Sequence, residues 1–339
     1  MPEALVISDQ TYAGEAATFF ITRPVVEMDT TQKGCIHVQD GIKKEYTIPR
    51  IEVSNFIQRR AATPVSQGAN ISVDGKVIVP KDLMLYIEFN PRDYEQHWFA
   101  VQLDPKLIDR ELPPTAEEFT MLQTMKRLNE FFEMHTWRGR IMYDTQGQAV
   151  DPTTKGALAG DAAYFYFDGL IYKLLSDAST IQVSSPATLV SGTAAGGQEN
   201  IGAAFLRCYN LVPRAILFKY GPKGLKFHVS YATQQVYEDF LTTQQFKNND
   251  TTEKGINRYK GYDVVPLAGM PDNTIVVAVS EPGIDSNLWL GCNSVDDEKG
   301  LKLAPLQANS EMWFIKGLFK IDTQAGFPDF VVLYTTITA

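Results

Sequence analysis

The chain has 339 residues, 40 acidic against 31 basic, with a formal net charge of −9 and 44% hydrophobic content. That is the composition of a globular protein rather than a disordered one, and no stretch approaches 18 consecutive apolar residues, so no transmembrane helix is expected. The negative charge argues against a protein that grips a phosphate backbone over a wide surface, and Met1-Pro2-Glu3 lacks the basic region of a signal peptide, so synthesis in the cytoplasm is expected.

The length allows two domains or one large one with insertions. The first thirty residues look extended, with Thr18 to Thr22 strand-like and Arg23-Pro24 as a break. From Lys33 to Lys81 short β runs alternate with turns. Cys35 to Val38 precedes Asp40-Gly41, and Tyr46 to Ile48 ends at Pro49. Ile71 to Val73 and Val77 to Val79 flank Asp74-Gly75, a strong hairpin signal. Residues 41–80 hold few large apolar side chains, so they are expected to add little to the subunit core.

A long helix is predicted after Pro113-Pro114, over 115–137. Thr115 and Glu118 have the spacing of a capping box. Met121, Met125, Leu128 and Phe132 form one apolar stripe. Glu117, Glu118, Glu130 and Glu133 fall on the other face. The glycines from 139 to 160 predict a loop. A second helix is expected from Tyr164 to Leu175, a flexible loop over Ser184 to Gln198, and a short helix over Ile201 to Asn210. Ala215 to Phe218 and Leu225 to Val229 read as a strand pair across Gly221-Pro222-Lys223-Gly224, followed by a helix from Tyr231 to Phe246. Tyr262 to Pro266, Thr274 to Val279, Met312 to Ile321 and Phe330 to Ile337 read as strands.

Catalytic motifs are absent: no phosphate loop, no GxGxxG after a strand, no HExxH and no GxSxG elbow. No catalytic residue, cofactor or metal is therefore assigned. His37, His97, His135 and His228 lie far apart, and His135 continues the apolar stripe, which predicts a core-facing or helix-end ring. Cys35, Cys208 and Cys292 are too few and too scattered for a disulfide framework, so buried thiols are expected. Asp296-Asp297-Glu298 lacks the alternating ligands of a calcium loop.

The order of elements is more specific than any motif. Phe167-Asp168-Gly169-Leu170-Ile171 comes first. A strand and helix follow, Phe227 to Leu241, with Tyr237 and Leu241 four apart. Then come Gly261 to Ala278, containing Gly269-Met270-Pro271, and Asn287-Leu288-Trp289-Leu290-Gly291. This series resembles the major capsid proteins of tailed bacteriophages, the Hong Kong 97-type fold, which carry a DGL-like signature and later motifs in this order. The resemblance implies an α+β chain with an N-terminal arm (1–32) and an extended β-hairpin loop (33–82). It implies a peripheral domain (83–160 and 301–339) with a spine helix, and an axial domain (161–300).

It also implies a non-enzymatic subunit that assembles with its own copies, as hexamers and pentamers, into an icosahedral head around double-stranded DNA, held without tight sequence-specific binding. Acidity suits such a container, because a lining that gripped phosphates would hinder packaging and ejection. Since no helical scaffold segment precedes the arm, the scaffold is expected to be a separate protein or already removed. A portal and decoration proteins are further implied partners, and the expected location is the virion after assembly in the host cytoplasm. An encapsulin-like nanocompartment shell is the alternative within the fold, and a cytoplasmic α+β enzyme the alternative outside it.

Charge suggests where copies meet. Residues 41–80 carry Lys43, Lys44, Arg50, Arg59, Arg60 and Lys76 against Glu45, Glu52 and Asp74, a net of +3. Residues 91–135 have a net of −4. The candidate inter-subunit contacts are Lys43, Lys44, Arg50, Arg59 and Arg60 on the loop of one copy, and Glu117, Glu118, Glu130 and Glu133 on the helix of the next.

Overall fold

A computed structural model describes residues 10–12, 25, 27–53, 59–60, 62–63, 71–90, 114–141, 166–243, 258–293, 301–307 and 312–337. Among the described residues the first elements are β1 (Gln10–Tyr12) and a single helical turn, α1 (Asp29–Gln32). Short strands follow: β2 (His37–Gln39), β3 (Tyr46–Thr47), β4 (Arg50–Val53), β5 (Ile71–Asp74) and β6 (Val77–Ile78). A longer strand, β7 (Lys81–Phe89), precedes the long helix α2 (Pro114–Arg138). Next come α3 (Leu170–Ser176), β8 (Ile181–Gln182), β9 (Thr188–Val190) and β10 (Gln198–Asn200). Helices α4 (Ile201–Leu211) and α5 (Arg214–Gly224) lead to β11 (Leu225–Ser230) and α6 (Tyr231–Thr243). The remainder is largely β: β12 (Arg258–Tyr259), β13 (Tyr262–Leu267), β14 (Ile275–Val279), β15 (Leu288–Asn293), β16 (Leu301–Pro305), β17 (Trp313–Ala325) and β18 (Val332–Tyr334).

Two six-stranded sheets carry the fold. In the first, β7 runs antiparallel along one edge of β17, from Trp313 opposite Phe89 to Ile321 opposite Lys81. The other edge of β17 takes β16 at residues 313–316 and β15 at residues 320–325. β1 extends the sheet beyond β16, and β2 extends it beyond β15. Side chains alternate along β17, so Ile315, Phe319 and Ile321 are buried while Lys316 is exposed. Helix α2 lies against the buried face, where Phe132 meets Phe319 edge-on at 5.1 Å between ring centres.

The second sheet has the order β12-β13-β11-β14-β18-β8. Its central strand β14, Ile275-Val276-Val277-Ala278-Val279, is buried at every position. An unbroken apolar run of this kind marks a strand covered on both faces. Val276 and Ala278 join the core around Trp137 and Leu170, while Ile275, Val277 and Val279 join a second core around Phe205, Ile216 and Tyr237. The two sheets draw on interleaved stretches of chain. β15, inside residues 161–300, belongs to the first sheet, and β18, inside 301–339, belongs to the second.

Several local expectations are corrected. Asp74-Gly75 is not a hairpin turn. β5 pairs with β4 and β6 pairs with β3, so 71–78 is one interrupted strand of a longer hairpin. Gly75 lacks the positive φ of the usual two-residue hairpin turn. It is needed for space, because a side chain there would overlap the Ile48 carbonyl. Ala215 to Phe218 is helical in α5, not a strand. Pro213 O accepts from Ile216 N at 3.0 Å, and Ile216 and Tyr220, four residues apart, turn one face inward. Helix α2 starts at Pro114, so Thr115 lies inside the first turn rather than at the cap. Proline is favoured at that first position because its missing N–H has no helical partner to lose. The loop expected over Ser184 to Gln198 contains β9, which pairs with β10. The strand expected over Thr18 to Thr22 and the acidic turn at Asp296 to Glu298 lie outside the described residues.

Candidate inter-subunit site

The DGL segment locks the end of α2 to the start of α3. Gly169 N donates to Gly139 O at 2.8 Å. Asp168 accepts from Ile141 N at 2.8 Å through its carboxylate and from Thr323 Oγ1 at 2.8 Å through its carbonyl. Gly169 has an extended backbone, φ −75° and ψ 169°, that any residue can adopt. Its lack of a side chain is what matters: a Cβ would come within 2.6 Å of Gly139 N and 2.7 Å of His135 O.

The last turns of α2 are buried nearly all round. Phe132, Glu133, His135, Thr136 and Trp137 are all inside. Glu133 was expected on the outer face as a contact for a neighbouring copy; only 4% of it is exposed. Its carboxylate accepts from Thr30 Oγ1 at 2.7 Å, Thr30 N at 3.1 Å and Gly269 N at 3.2 Å. Trp137 Nε1 donates in turn to Thr30 Oγ1 at 2.8 Å. One carboxylate thus ties the root of the arm, the long helix and the Gly269 turn together. Burial holds it above the ordinary carboxylate range, and the three donors partly offset that.

Two of the histidines, His135 and His228, are structural. His228 Nδ1 donates to Val276 O at 3.0 Å, and its Nε2 accepts from Ser280 Oγ at 2.8 Å. His135 Nδ1 donates to Phe131 O at 3.0 Å, and the ring lies against Phe131, 3.9 Å between centres. Burial lowers both to about 4. An unfolded histidine takes its proton near pH 6.5, so these rings stabilise the fold above that pH and progressively less as pH falls toward 4. Each contributes up to about 3 kcal/mol by this linkage. Thermal melts of the subunit should drop steadily between pH 7 and pH 5. A flat profile across that window would mean that the rings are not held neutral. Among the described residues, no group of three or more His, Cys, Asp or Glu side chains is placed to hold a metal ion.

The base of the hairpin has a small core of its own. Ile42, Ile48 and Ile78 are buried around Trp289 of β15, and Tyr46 stacks on the Trp289 ring at 6.2 Å. Residues 41–80 therefore contribute more to the core than expected. Gly291 leaves room for this contact, since a Cβ there would meet Ile78 Cγ2 at 2.6 Å. The exit strand is braced as well. Val79 N donates to Asp322 Oδ2 at 3.2 Å, and Asp322 pairs with Lys173 of α3 at 2.7 Å. Removing 49–74 through a short Gly-Ser bridge should leave the melting temperature within a few degrees of the full chain. Removing 41–80 strips Trp289 of its cover and should lower it far more, at a stability cost of about 2–5 kcal/mol for each lost isoleucine. Equal melts for the two deletions would contradict this division.

Of the candidate contacts, Lys43, Lys44, Arg59, Arg60 and Glu130 are exposed. Glu130 pairs with Arg127 one turn away at 2.7 Å. Arg50 is engaged inside its own subunit, with Asp329 at 2.9 Å. Glu117 and Glu118 fall in the first turn of α2, and their side chains lie outside the described ones. Lys76, also part of the basic hairpin, pairs with Asp177 at 2.5 Å. The sequence offers no sign of Asp329, Asp177 or Trp289 as partners, because each is distant in the chain.

No protein-family model matches the sequence, and no curated protein matches it. Solved structures do. The chain is similar to one from the satellite phage P4 procapsid that includes the size-determination (Sid) protein, with a TM-score of 0.60 and 11% identity over 97% of this chain and 94% of that one. It is also similar to a chain from the capsid of a native GTA particle, with a TM-score of 0.50 and 14% identity over 97% and 94%. The capsid of an empty GTA particle gives a TM-score of 0.50 and 10% identity over 91% and 90%. Identities this low speak to fold, and the coverage leaves no large part of either chain unmatched. The α+β architecture expected from the order of elements is therefore observed, and the chain has the Hong Kong 97-type capsid fold.

Proposed function

We propose that this chain is the major shell subunit of a tailed-phage head, without enzymatic activity. The observation that carries this reading is the near full-length match to the P4 procapsid chain. On this reading residues 1–32 act as the arm and 33–82 as the extended loop. Residues 83–160 with 301–339 act as the peripheral domain, and 161–300 as the axial domain, with β15 and β18 each lent to the other domain's sheet. Copies associate through heterologous contacts that close into rings and shells, and weak contacts gain strength through multiplicity. Double-stranded DNA lies inside. A separate scaffold protein, a portal and decoration proteins are the further partners proposed for a particle assembled in the host cytoplasm. Negative-stain microscopy of the expressed protein should show closed shells. A species that keeps the subunit mass at every concentration would overturn the proposal.

The hairpin of one copy is proposed to lie over α2 of the next. With Arg50, Lys76 and Glu133 engaged within the subunit, the cations proposed to face a neighbour are Lys43, Lys44, Arg59 and Arg60, and the acids are Glu117, Glu118 and Glu130, which also pairs with Arg127. Arg59→Glu with Arg60→Glu should slow assembly and leave the subunit melt unchanged, since such charges govern encounter and register more than strength. Adding Glu130→Lys should partly restore the rate in light-scattering curves. A triple variant no faster than the double one would separate these two surfaces.

A further inference from the structure

Besides the Trp289 core, each strand of the hairpin carries an ion pair to the body of its own subunit. Arg50 of β4 makes a two-point contact with Asp329, Nη1 to Oδ1 at 3.1 Å and Nη2 to Oδ2 at 2.9 Å. Its guanidinium also lies over the rings of Phe327 and Phe330, 5.7 and 5.9 Å from their centres. On the returning strand, Lys76 reaches Asp177 at the C-terminal end of α3, at 2.5 Å. At Lys76 itself the strands pinch together. Ile48 N donates to Lys76 O at 2.8 Å, and Gly75 rests against the Ile48 carbonyl with no room for a side chain. The pinch is backbone on backbone, while the Trp289 core lies on the body side of it.

We propose that Arg50–Asp329 and Lys76–Asp177 form a latch that fixes the angle at which the hairpin leaves the subunit, with the Ile48–Gly75 pinch as pivot. Each pair holds a different strand to a different element, so the hairpin cannot swing about the pinch until both open. Both pairs are partly exposed. Pairs of this kind contribute about 0–1 kcal/mol each and weaken with salt. Losing one therefore changes the ratio of latched to released hairpin by up to about fivefold. The hairpin is preset yet releasable, and release leaves the core around Trp289 intact. A shell that places identical chains in non-identical surroundings has a use for such an adjustable strut. That use rests on the shell reading above; the latch is a property of the single subunit and is tested on it.

The test is a double electron–electron resonance distance measurement on the unassembled full-length subunit. Spin labels go at Ser72→Cys on β5 and Glu238→Cys on the exposed face of α6. The native cysteines are buried and stay unlabelled. With the native pairs, one narrow distance is expected in low salt, broadening in molar salt. Arg50→Gln with Lys76→Gln should broaden it in low salt while the thermal melt stays close to that of the parent. The charge swap Lys76→Asp with Asp177→Lys should keep the distribution narrow, which separates a lost pair from local misfolding. A distribution already broad with the native pairs, or unchanged in the Arg50→Gln/Lys76→Gln variant, overturns the latch.

Discussion

Replacing Glu133 by lysine should lower the melting temperature of the unassembled subunit by about 4–7 °C. The carboxylate is surrounded by donors: Thr30 N, Thr30 Oγ1 and Gly269 N. An ammonium group at that place sets donor against donor and leaves the N–H groups of Thr30 and Gly269 unsatisfied in a closed interior. Removing one side of a buried charged arrangement typically costs about 3–5 kcal/mol. Glutamine is the finer probe. Its oxygen can stand where Oε1 accepts from Thr30 Oγ1 and Gly269 N, but its amide nitrogen then faces Thr30 N, donor against donor. The expected cost is about 1–3 kcal/mol. Thr30→Val breaks the same relay from the other end, together with the Trp137 contact. Glu133 on a surface facing other copies would give a different pattern, with assembly impaired and the melt untouched. A Glu133→Lys subunit that melts like the parent would return the residue to that surface.

The failure to place Glu133 from sequence has a physical cause. The stripe of Met121, Met125, Leu128 and Phe132 marks one face of α2, and such a stripe predicts the helix well. It assumes one buried side. The C-terminal turns of α2 are enclosed between the two sheets, so the face opposite the stripe is buried there too. The donors that make burial tolerable belong to Thr30 and Gly269, 103 and 136 residues away. No local pattern carries that information. The density of aromatic rings after Phe131 (Phe132, His135, Trp137) was the available sign that the helix sinks into the core. The continuous apolar strand β14 and the final β segments were legible because their burial is written in their own residues. Asp74-Gly75 was misread for the opposite reason. Its local turn preference is real, but the pairing of β3 with β6 and β4 with β5 holds the strand straight through it. Arg50 and Lys76 looked like free surface charge because Asp329 and Asp177 lie 279 and 101 residues away.

Gly169→Ala should destabilise the subunit by about 3 kcal/mol or more, at the upper end of what one added methyl group costs in a packed site. The φ and ψ of Gly169 suit alanine, so backbone strain is not the reason. The added carbon would fall 2.6 Å from Gly139 N, 2.7 Å from His135 O and 2.8 Å from the Trp137 carbonyl carbon. All three are backbone atoms in or just after the last turn of α2, and none can rotate away as a side chain would. Relief requires α3 to move off α2. That movement breaks the Gly169–Gly139 hydrogen bond and disturbs Asp168, which holds Ile141 and Thr323. Gly139→Ala should be damaging for the mirror-image reason, since its Cβ would overlap the Phe167 carbonyl. The two substitutions strain one crossing, so their double variant should lose less than the sum of the singles. Gly192 is the control. A Cβ there meets nothing within 4 Å and its φ is not left-handed, so Gly192→Ala should be neutral or gain about 0.4–1 kcal/mol through the unfolded chain. Thermal melts of the four variants decide the matter. If Gly169→Ala melts alongside Gly192→Ala, the two helices do not cross backbone to backbone, and the glycine of the DGL segment has some role other than making room.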